Sequence, residues 1–179
     1  MEAPIDLNKA DTLAPYLGQD FLTWLWFKSE QQGGLFKDPK GEYFELYLEQ
    51  RIQVQGGEGE SKETTLCRGP HSELREARHG LAAGKKVTQA QLRFEQNAAV
   101  WQLQLKADDF TLSGLKTPKI QTRPEEGEDP DGPFLEKIYL IEKALAMLDS
   151  LYTAFLTTRL GDAWPEERSA VKEWVEKRE

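Results

Sequence analysis

Residues 43–55, YFELYLEQRIQVQ, alternate between apolar and polar side chains. A period of two predicts a β-strand with one face in a core and the other in water. The apolar side chains on the expected inner face are Phe44, Leu46, Leu48, Ile52 and Val54. Residues 56–60 are glycine-rich and predict a turn, so residues 62–68 are expected to return as the second strand of a hairpin. Because an apolar strand face has to be covered by other elements, the chain must build a sheet that is buried on one side.

A second hairpin is predicted over residues 86–95 and 98–106, with Gln96 and Asn97 as its turn. Its inner face is expected to carry Ala90, Leu92, Phe94, Trp101, Leu103 and Leu105. Residues 109–121 are a further strand-like stretch. Together these segments supply enough strands for an antiparallel sheet.

Four segments are predicted to be helices, from apolar spacing or from their capping and stop residues, and they are 17–31, 72–83, 134–160 and 165–178. In the longest of them the apolar residues that recur at three- and four-residue steps are Phe134, Ile138, Ile141, Leu145, Leu148, Tyr152 and Phe155. The first helix is aromatic and apolar on more than one face, so we expect it to be buried on most sides. Either this domain or a second chain has to cover it.

These elements predict an α+β fold, in which an antiparallel β-sheet packs against a long C-terminal α-helix and an aromatic N-terminal helix. A single core is expected to contain Phe44, Leu46, Leu48, Leu92, Phe94, Trp101, Leu103, Leu105, Ile138, Leu145, Leu148 and Tyr152. A chain of 179 residues suits one such domain. We expect an N-terminal tail over 1–16, the α+β domain over 17–161 and a C-terminal amphipathic helix as an appendage over 162–179.

The charge balance of the chain is acidic. A formal net charge of −8, from 31 acidic and 23 basic residues, repels polyanions on average and restricts nucleic-acid binding to a local basic patch. Cys67 is the single cysteine, so no intrachain disulfide is possible. The N-terminus is acidic, and the chain has no apolar run of about 18 residues. We therefore expect a cytoplasmic protein that does not contact a membrane.

Signals for catalysis and metal binding are weak. The chain has no glycine-rich phosphate loop, no G-x-S-x-G, no H-E-x-x-H and no C-x-x-C. Asp108 and Asp109 are adjacent, and adjacent strand residues point to opposite faces, so this pair is expected to be a solvated turn. Cys67 is expected to be a buried or half-buried strand residue. We expect no enzymatic activity, no cofactor and no metal, and a metal-dependent nuclease is the least favoured function.

Basic residues nevertheless gather on the second hairpin. Arg93 and Lys106 fall on its polar faces, where their neighbours are Gln89, Gln91, Gln102 and Gln104. Lysine and arginine bind phosphates, and amide side chains help to position a nucleic-acid backbone. Such a face is either a nucleic-acid contact or an ordinary solvated surface. The aromatic residues at 21–27 are either base-stacking groups or, as their helical spacing favours, part of a core or dimer interface.

Residues 71–106 resemble the C-terminal part of the bacterial recombination-associated protein family RdgC. The resemblance lies in a short helix that ends in an A-G-K step, followed by V-T, a strand, a tight turn and a second strand. The matching residues here are Ala83-Gly84-Lys85, Val87-Thr88, Leu92, Trp101, Leu103 and Leu105. The flanks agree in order, with Leu22-Thr23-Trp24-Leu25 and Lys28-Ser29 on one side and Leu145, Leu148, Leu151 and Gly161 on the other. The resemblance covers about residues 17–161 and omits the family's long N-terminal portion, so the chain is similar to a short or truncated homologue.

The resemblance implies a non-enzymatic protein that binds DNA without sequence specificity. Members of the family form a ring-shaped homodimer around duplex DNA and restrain RecA-driven recombination. The implied partners are therefore single- or double-stranded DNA, a second copy of the chain and recombination proteins, and the implied location is the bacterial nucleoid. With a net charge of −8, affinity has to come from local cations, and the candidates are Arg68, Lys85, Lys86, Arg93 and Lys106. Arg68 stands where the family carries a basic pair, and Lys85 stands at its A-G-K lysine.

A second function stays open beside DNA binding. The chain is then a non-enzymatic interaction or dimerisation module that uses the aromatic helix or the last helix as a protein interface. A DNA-binding protein should show a contiguous positive surface on the strand face, whereas an interaction module should show an apolar patch that seats a partner.

Overall fold

The computed structural model describes residues 17–31, 33–56, 63–68, 75–120, 126–127 and 129–177. Its helices are α1 (Gly18–Gln31), α2 (Arg75–Ala82), α3 (Gly132–Arg159) and α4 (Trp164–Glu176). Its strands are β1 (Leu35–Lys37), β2 (Tyr43–Gly56), β3 (Glu63–Arg68), β4 (Lys86–Gln96), β5 (Ala99–Lys106) and β6 (Leu112–Lys116). In these ranges the strands form one antiparallel sheet, and the expected α+β fold is confirmed. The expected tail over residues 1–16 lies outside the described residues.

The long strand β2 organises the sheet, whose order is β1-β2-β4-β5-β6. Strand β4 pairs along one edge of β2. At the opposite edge, β1 pairs with the first residues of β2 and β3 pairs with its last six. Both predicted hairpins, β2–β3 and β4–β5, are therefore present. Strand β1 was not predicted, because three residues are too short to show a period.

The turn between β4 and β5 lies one residue later than expected. Gln96 pairs with Ala99, so the two turn residues are Asn97 and Ala98, with φ of 50° and 65°. Two residues with positive φ are typical of the type I′ turn, whose twist matches that of the flanking strands. Gln96 remains in the strand because its amide donates hydrogen bonds to Asp38 Oδ2 and to the carbonyl of Tyr43. The last predicted strand is also shorter than expected, since β6 covers only Leu112–Lys116.

The strand half of the predicted core is confirmed. All eight of its members are buried, namely Phe44, Leu46, Leu48, Leu92, Phe94, Trp101, Leu103 and Leu105. Period two leaves only two faces to choose between, so one buried residue fixes the face of the residues that alternate with it up to the next bulge.

Helix α1 lies in the centre of the fold. Its buried side chains are Phe21, Leu22, Trp24, Leu25, Trp26 and Phe27. On the sheet side, the backbone N–H of Val87 donates to Thr23 Oγ1 at 3.2 Å. On the other side, α3 contributes Phe155, whose ring centroid lies 5.4 Å from that of Phe21. The chain itself covers this helix, so its aromatic residues are core residues and are not available for base stacking or as a protein interface.

Two glutamates fasten α4 to α1. Glu167 of α4 accepts a hydrogen bond from Trp24 Nε1 at 2.8 Å. Glu30 of α1 accepts one from Trp26 Nε1 at 2.9 Å and one from Trp174 Nε1 at 2.7 Å. Each indole N–H thus has an acceptor at the rim of the core. The indole of Trp174 itself belongs to the core, so the segment expected as an appendage packs on the domain.

The expected inner face of α3 is wrong in part. Ile138 is 36% exposed and Leu145 is 48% exposed, whereas Leu148 and Tyr152 are partly buried against the core. The buried residues of this helix are Ala144, Met147, Leu151 and Phe155. Because α3 carries apolar residues on more than one face, their spacing does not determine which face meets the sheet. The small side chain of Ala144 lies on the buried face, and the larger residues Ile138 and Leu145 point away from it.

The turn between β1 and β2 is built around the buried carboxylate of Asp38. Its Oδ1 accepts hydrogen bonds from the backbone N–H groups of Lys40 and Glu42, both at 2.9 Å, and its Oδ2 accepts one from Gln96 Nε2 at 3.1 Å. Burial alone raises the pKa of this carboxyl, but the hydrogen bond from Gln96 and those from the backbone outweigh it and hold the pKa below its usual value.

Trp101 should be a major stabilising residue. It is 2% exposed and its Nε1 donates to the carbonyl of Leu140 at 3.0 Å, which joins β5 to α3. Trp101→Ala should lower the free energy of unfolding by about 3–5 kcal/mol. Denaturant titration measures this, with Val100→Thr as the exposed control, expected to stay within about 0.5 kcal/mol of wild type. A midpoint that barely moves in Trp101→Ala would contradict the packing of α3 on β5.

Asp38 should make stability depend on pH in the acid range. A carboxyl with a lowered pKa in the folded state stabilises the fold above its unfolded pKa of about 3.9, and this contribution is lost as the pH falls through the folded pKa. At neutral pH, Asp38→Asn should therefore cost about 1 kcal/mol. Below about pH 4 the difference between the two proteins should become smaller as the pH falls. Urea titrations at pH 7 and pH 3 test this, and an equal difference at both pH values would refute the role of the charge.

Candidate nucleic-acid interface

One face of the sheet carries no helix within the described part of the chain. The contacts of the helices are all with the opposite face, as shown by Thr23 of α1 with Val87, Gly80 of α2 with Val54, and the carbonyl of Leu140 of α3 with Trp101. Helix α4 packs on α1 through Trp174. We call the uncovered side the open face. It contains the polar positions that alternate with the core residues of β2, β4 and β5.

Glutamines form ladders across the open face. Gln53 of β2 stands opposite Gln89 of β4, and Gln91 of β4 stands opposite Gln104 of β5. Their side chains are half-buried because neighbouring side chains cover each other on a flat sheet. The Nε2 of Gln104 is buried and, among the described residues, has no hydrogen-bond acceptor. The half-exposed glutamine amides of this face carry N–H donors, which suit oxygen acceptors.

Arg93 lies in the middle of the open face. It stands between Tyr47 of β2 and Gln102 of β5, as the register of the three strands requires. Its guanidinium carbon is 4.5 Å from the centroid of the Tyr47 ring, and its Nη1 is 2.9 Å from Glu95 Oε1. The hydroxyl of Tyr47 donates to Glu45, and this hydrogen bond, with burial, raises the pKa of Tyr47. The guanidinium is thus held over a tyrosine that is itself fixed.

Two lysines complete the positive part of this face. Lys106 stands opposite Gln89, and Lys116 of β6 stands opposite Gln102. Both residues are exposed, and neither forms an ion pair with another residue of the described ranges. At the β1 edge, Lys37 lies over the Tyr43 ring, with its Nζ 5.1 Å from the centroid.

The open face therefore differs in charge from the rest of the protein. Its described side chains include four cations and two carboxylates, which are Lys37, Arg93, Lys106 and Lys116 against Glu45 and Glu95. This is a local charge of +2 on a chain whose net charge is −8. Acidic residues lie mainly elsewhere, so the patch is the kind of local positive surface that an acidic protein needs to bind an anion.

The structure separates the five DNA-contact candidates. Arg93 and Lys106 share the open face, as the hairpin pattern predicts. Lys85 forms an ion pair with Glu63 of β3 at 3.0 Å. Lys86 forms one with Asp20 of α1, on the helical side of the sheet. Arg68 ends β3, where its backbone pairs with β2, and its side chain lies outside the described residues.

The structure also gives the positions of the residues that were considered for catalysis or metal binding. Asp108 and Asp109 lie exposed in the turn after β5, which confirms the expected solvated turn. Asp109 accepts a hydrogen bond from the backbone N–H of Thr111 at 2.9 Å, and its hydrogen bonds with Thr111 lower its pKa. Cys67 is a residue of strand β3, as expected, but its side chain lies outside the description. Within the described ranges no three His, Cys, Asp or Glu side chains form a group that could hold a metal ion.

Sequence reasoning did not find the two pairs of a cation and a tyrosine. Tyr43 and Tyr47 were assigned to the wet face of β2, but their partners come from other strands. Lys37 belongs to β1, which has no readable period, and the pairing of Arg93 with Tyr47 depends on the register between β4 and β2. The available signal was the alternation of apolar and polar residues. It shows the face of the sheet on which a residue lies, but not which residue of the next strand stands beside it.

Comparison of the chain with models of protein families gives no match, and comparison with curated proteins gives none either. The relationship to the RdgC family therefore stays a prediction based on the matching residues. In the part of the chain that the structure describes, no helix combines the length and apolar character needed to cross a membrane.

Proposed function

We propose that this protein is a non-enzymatic, sequence-independent DNA-binding accessory protein of recombination or replication, and that the open face of its sheet is the binding surface. The observation that carries the proposal is the +2 local charge of this face, formed around the glutamine ladders. Cations neutralise phosphates, and amide groups donate to phosphate and sugar oxygens. Acting on DNA, the protein would work at the nucleoid of a bacterial cell.

Binding through this face is expected to be independent of base sequence. Base identity is read by groups that enter a groove, most often from a helix or a protruding two-stranded ribbon. The contacts offered here come from short and medium side chains on a sheet, such as Gln91, Arg93 and Gln104. They suit the backbone of a nucleic acid. No catalytic role is proposed, because the two carboxylates of the open face, Glu45 and Glu95, are engaged by the Tyr47 hydroxyl and by Arg93.

The salt dependence of binding should identify the phosphate contacts. Each contact adds about one unit to the slope of log affinity against log salt for duplex DNA. Replacing both Lys106 and Lys116 with Ala should therefore flatten this slope by up to about two units and weaken binding equally on unrelated sequences. The measurement is fluorescence anisotropy with labelled duplexes over a salt series.

The matched control replaces Lys85 and Lys86 with Ala. It removes the same amount of positive charge, but from the helical side of the sheet, where these lysines form ion pairs with Glu63 and Asp20. Its salt slope should stay close to wild type. If this control loses more affinity than the open-face variant, DNA lies at the other side of the sheet. If wild-type protein binds neither single- nor double-stranded DNA at low salt, where screening is weakest, the proposed function is refuted.

A second candidate function is protein interaction or dimerisation without DNA contact. It is favoured by the first turns of α3, where Phe134 is 66% exposed and further apolar side chains, Leu135, Ile138, Tyr139 and Leu145, are also exposed. Apolar groups collected on one exposed helix segment are typical of an interaction surface. This segment is separate from the open face, so the two candidate functions can be tested independently.

The dimer version of this candidate makes a clear prediction for Ile138. A charge at the centre of an apolar interface is strongly unfavourable, so Ile138→Glu should convert a homodimer to a monomer. Light scattering gives the solution mass. Thr157→Glu, at an exposed position near the far end of the same helix, should leave the mass unchanged. A monomeric wild-type protein would exclude the homodimer.

A further inference from the structure

The open face carries aromatic rings as well as cations. Tyr43 and Tyr47 both lie on the open side of β2, because the intervening Phe44 and Leu46 are buried on the other side. Tyr43 is 57% exposed. Its ring has the Lys37 ammonium at 5.1 Å but remains largely accessible to water.

The two tyrosines have different surroundings, and this suggests different roles. The Tyr47 ring is flanked by the Arg93 guanidinium at 4.5 Å, and its hydroxyl donates to Glu45. It therefore holds Arg93 in place and has little free surface. Tyr43 has the Lys37 ammonium beside it and an accessible ring, so a further planar group has room to stack there.

An unpaired base offers a planar π-system that can stack on an aromatic side chain. In a duplex the base faces are stacked on each other, and a protein meets only phosphates, sugars and groove edges. In a single strand each base exposes a face, and proteins that bind single strands combine aromatic stacking with a groove of cations. Lys37 lies beside Tyr43, Arg93 lies beside Tyr47 and Lys106 lies farther along the open face, so both parts are present.

The dimensions fit this ligand. Tyr43 and Tyr47 are four residues apart on one strand, which corresponds to about 13–14 Å. From β1 to β6 the strands lie about 4.8 Å apart, so the five strands in a row span about 19 Å. Single-strand sites of about 4–16 nucleotides are usual for small domains that bind through a sheet surface. The open face is large enough for a site at the lower end of this range.

We propose that the open face takes single-stranded nucleic acid in preference to duplex, with Tyr43 stacking on an unpaired base and Lys37 and Arg93 contacting the flanking phosphates. This inference rests on the proposed function of the open face and specifies its ligand. Tyr47 acts as a positioning residue for Arg93. Stacking on Tyr43 accepts any base, in agreement with binding that is independent of sequence.

The test compares Tyr43→Ala and Tyr43→Phe with wild type, using a labelled 20-nucleotide oligo(dT) and a labelled 20-base-pair duplex in anisotropy titrations at two salt concentrations. Tyr43→Ala should lower the affinity for oligo(dT) about 5- to 150-fold. It should leave the salt slope and the duplex affinity nearly unchanged, because no phosphate contact is lost. Tyr43→Phe keeps the ring and should bind like wild type. Leu160→Ala, which removes a similarly exposed apolar side chain just after the end of α3, is the matched control and should have no effect.

The outcomes separate this inference from the function on which it rests. Thermal unfolding of Tyr43→Ala first checks that the variant is folded, which its exposed position leads us to expect. Duplex binding with equal or weaker binding of oligo(dT), or an oligo(dT) affinity that Tyr43→Ala does not change, overturns the single-strand site and leaves the proposed function intact. Absence of binding to both oligonucleotides overturns both.

Discussion

A helix that is apolar around most of its circumference has to be covered on every side, and this requirement on α1 organises the molecule. The sheet covers one side through Val87 and its neighbours, and the rings of Phe155 and Trp174 cover the other. Because α3 and α4 pack on α1, and α2 packs on the same side of the sheet, no described helix is left for the opposite side. The open face is therefore a consequence of how much cover α1 needs.

The polar groups at the edge of this core have defined partners, as its apolar groups do. Three indole N–H groups, from Trp24, Trp26 and Trp174, reach two carboxylates on α1 and α4. Lys28 and Arg78 balance these charges as ion pairs with Glu167 and Glu30. A half-buried carboxylate is costly without such donors, so the network favours one placement of α4 over others.

The helices and strands were predicted from the sequence better than the contacts between them. Alternation in β2, β4 and β5 gave the strands within a residue or two and placed Arg93 and Lys106 on one face, because a strand has only two faces. It could not give the neighbours across strands, such as Lys37 beside Tyr43, nor show that Lys86 reaches a carboxylate of α1. In α3 the apolar residues lie on several faces, so the choice of Ala144 over Leu145 depends on the tertiary fit against the sheet.

The place of α1 in the chain also governs how the protein can be made. Trp24 and the glutamate that receives its indole N–H are 143 residues apart, with the whole sheet between them. A ribosome adds about 5–20 residues per second, so the aromatic helix waits on the order of 10 s for the segment that closes over it. During this time the nascent chain exposes the aromatic side chains of α1, which are buried in the folded protein. Folding is therefore completed only after translation of α4, because the acceptor of the Trp24 indole N–H lies on that helix.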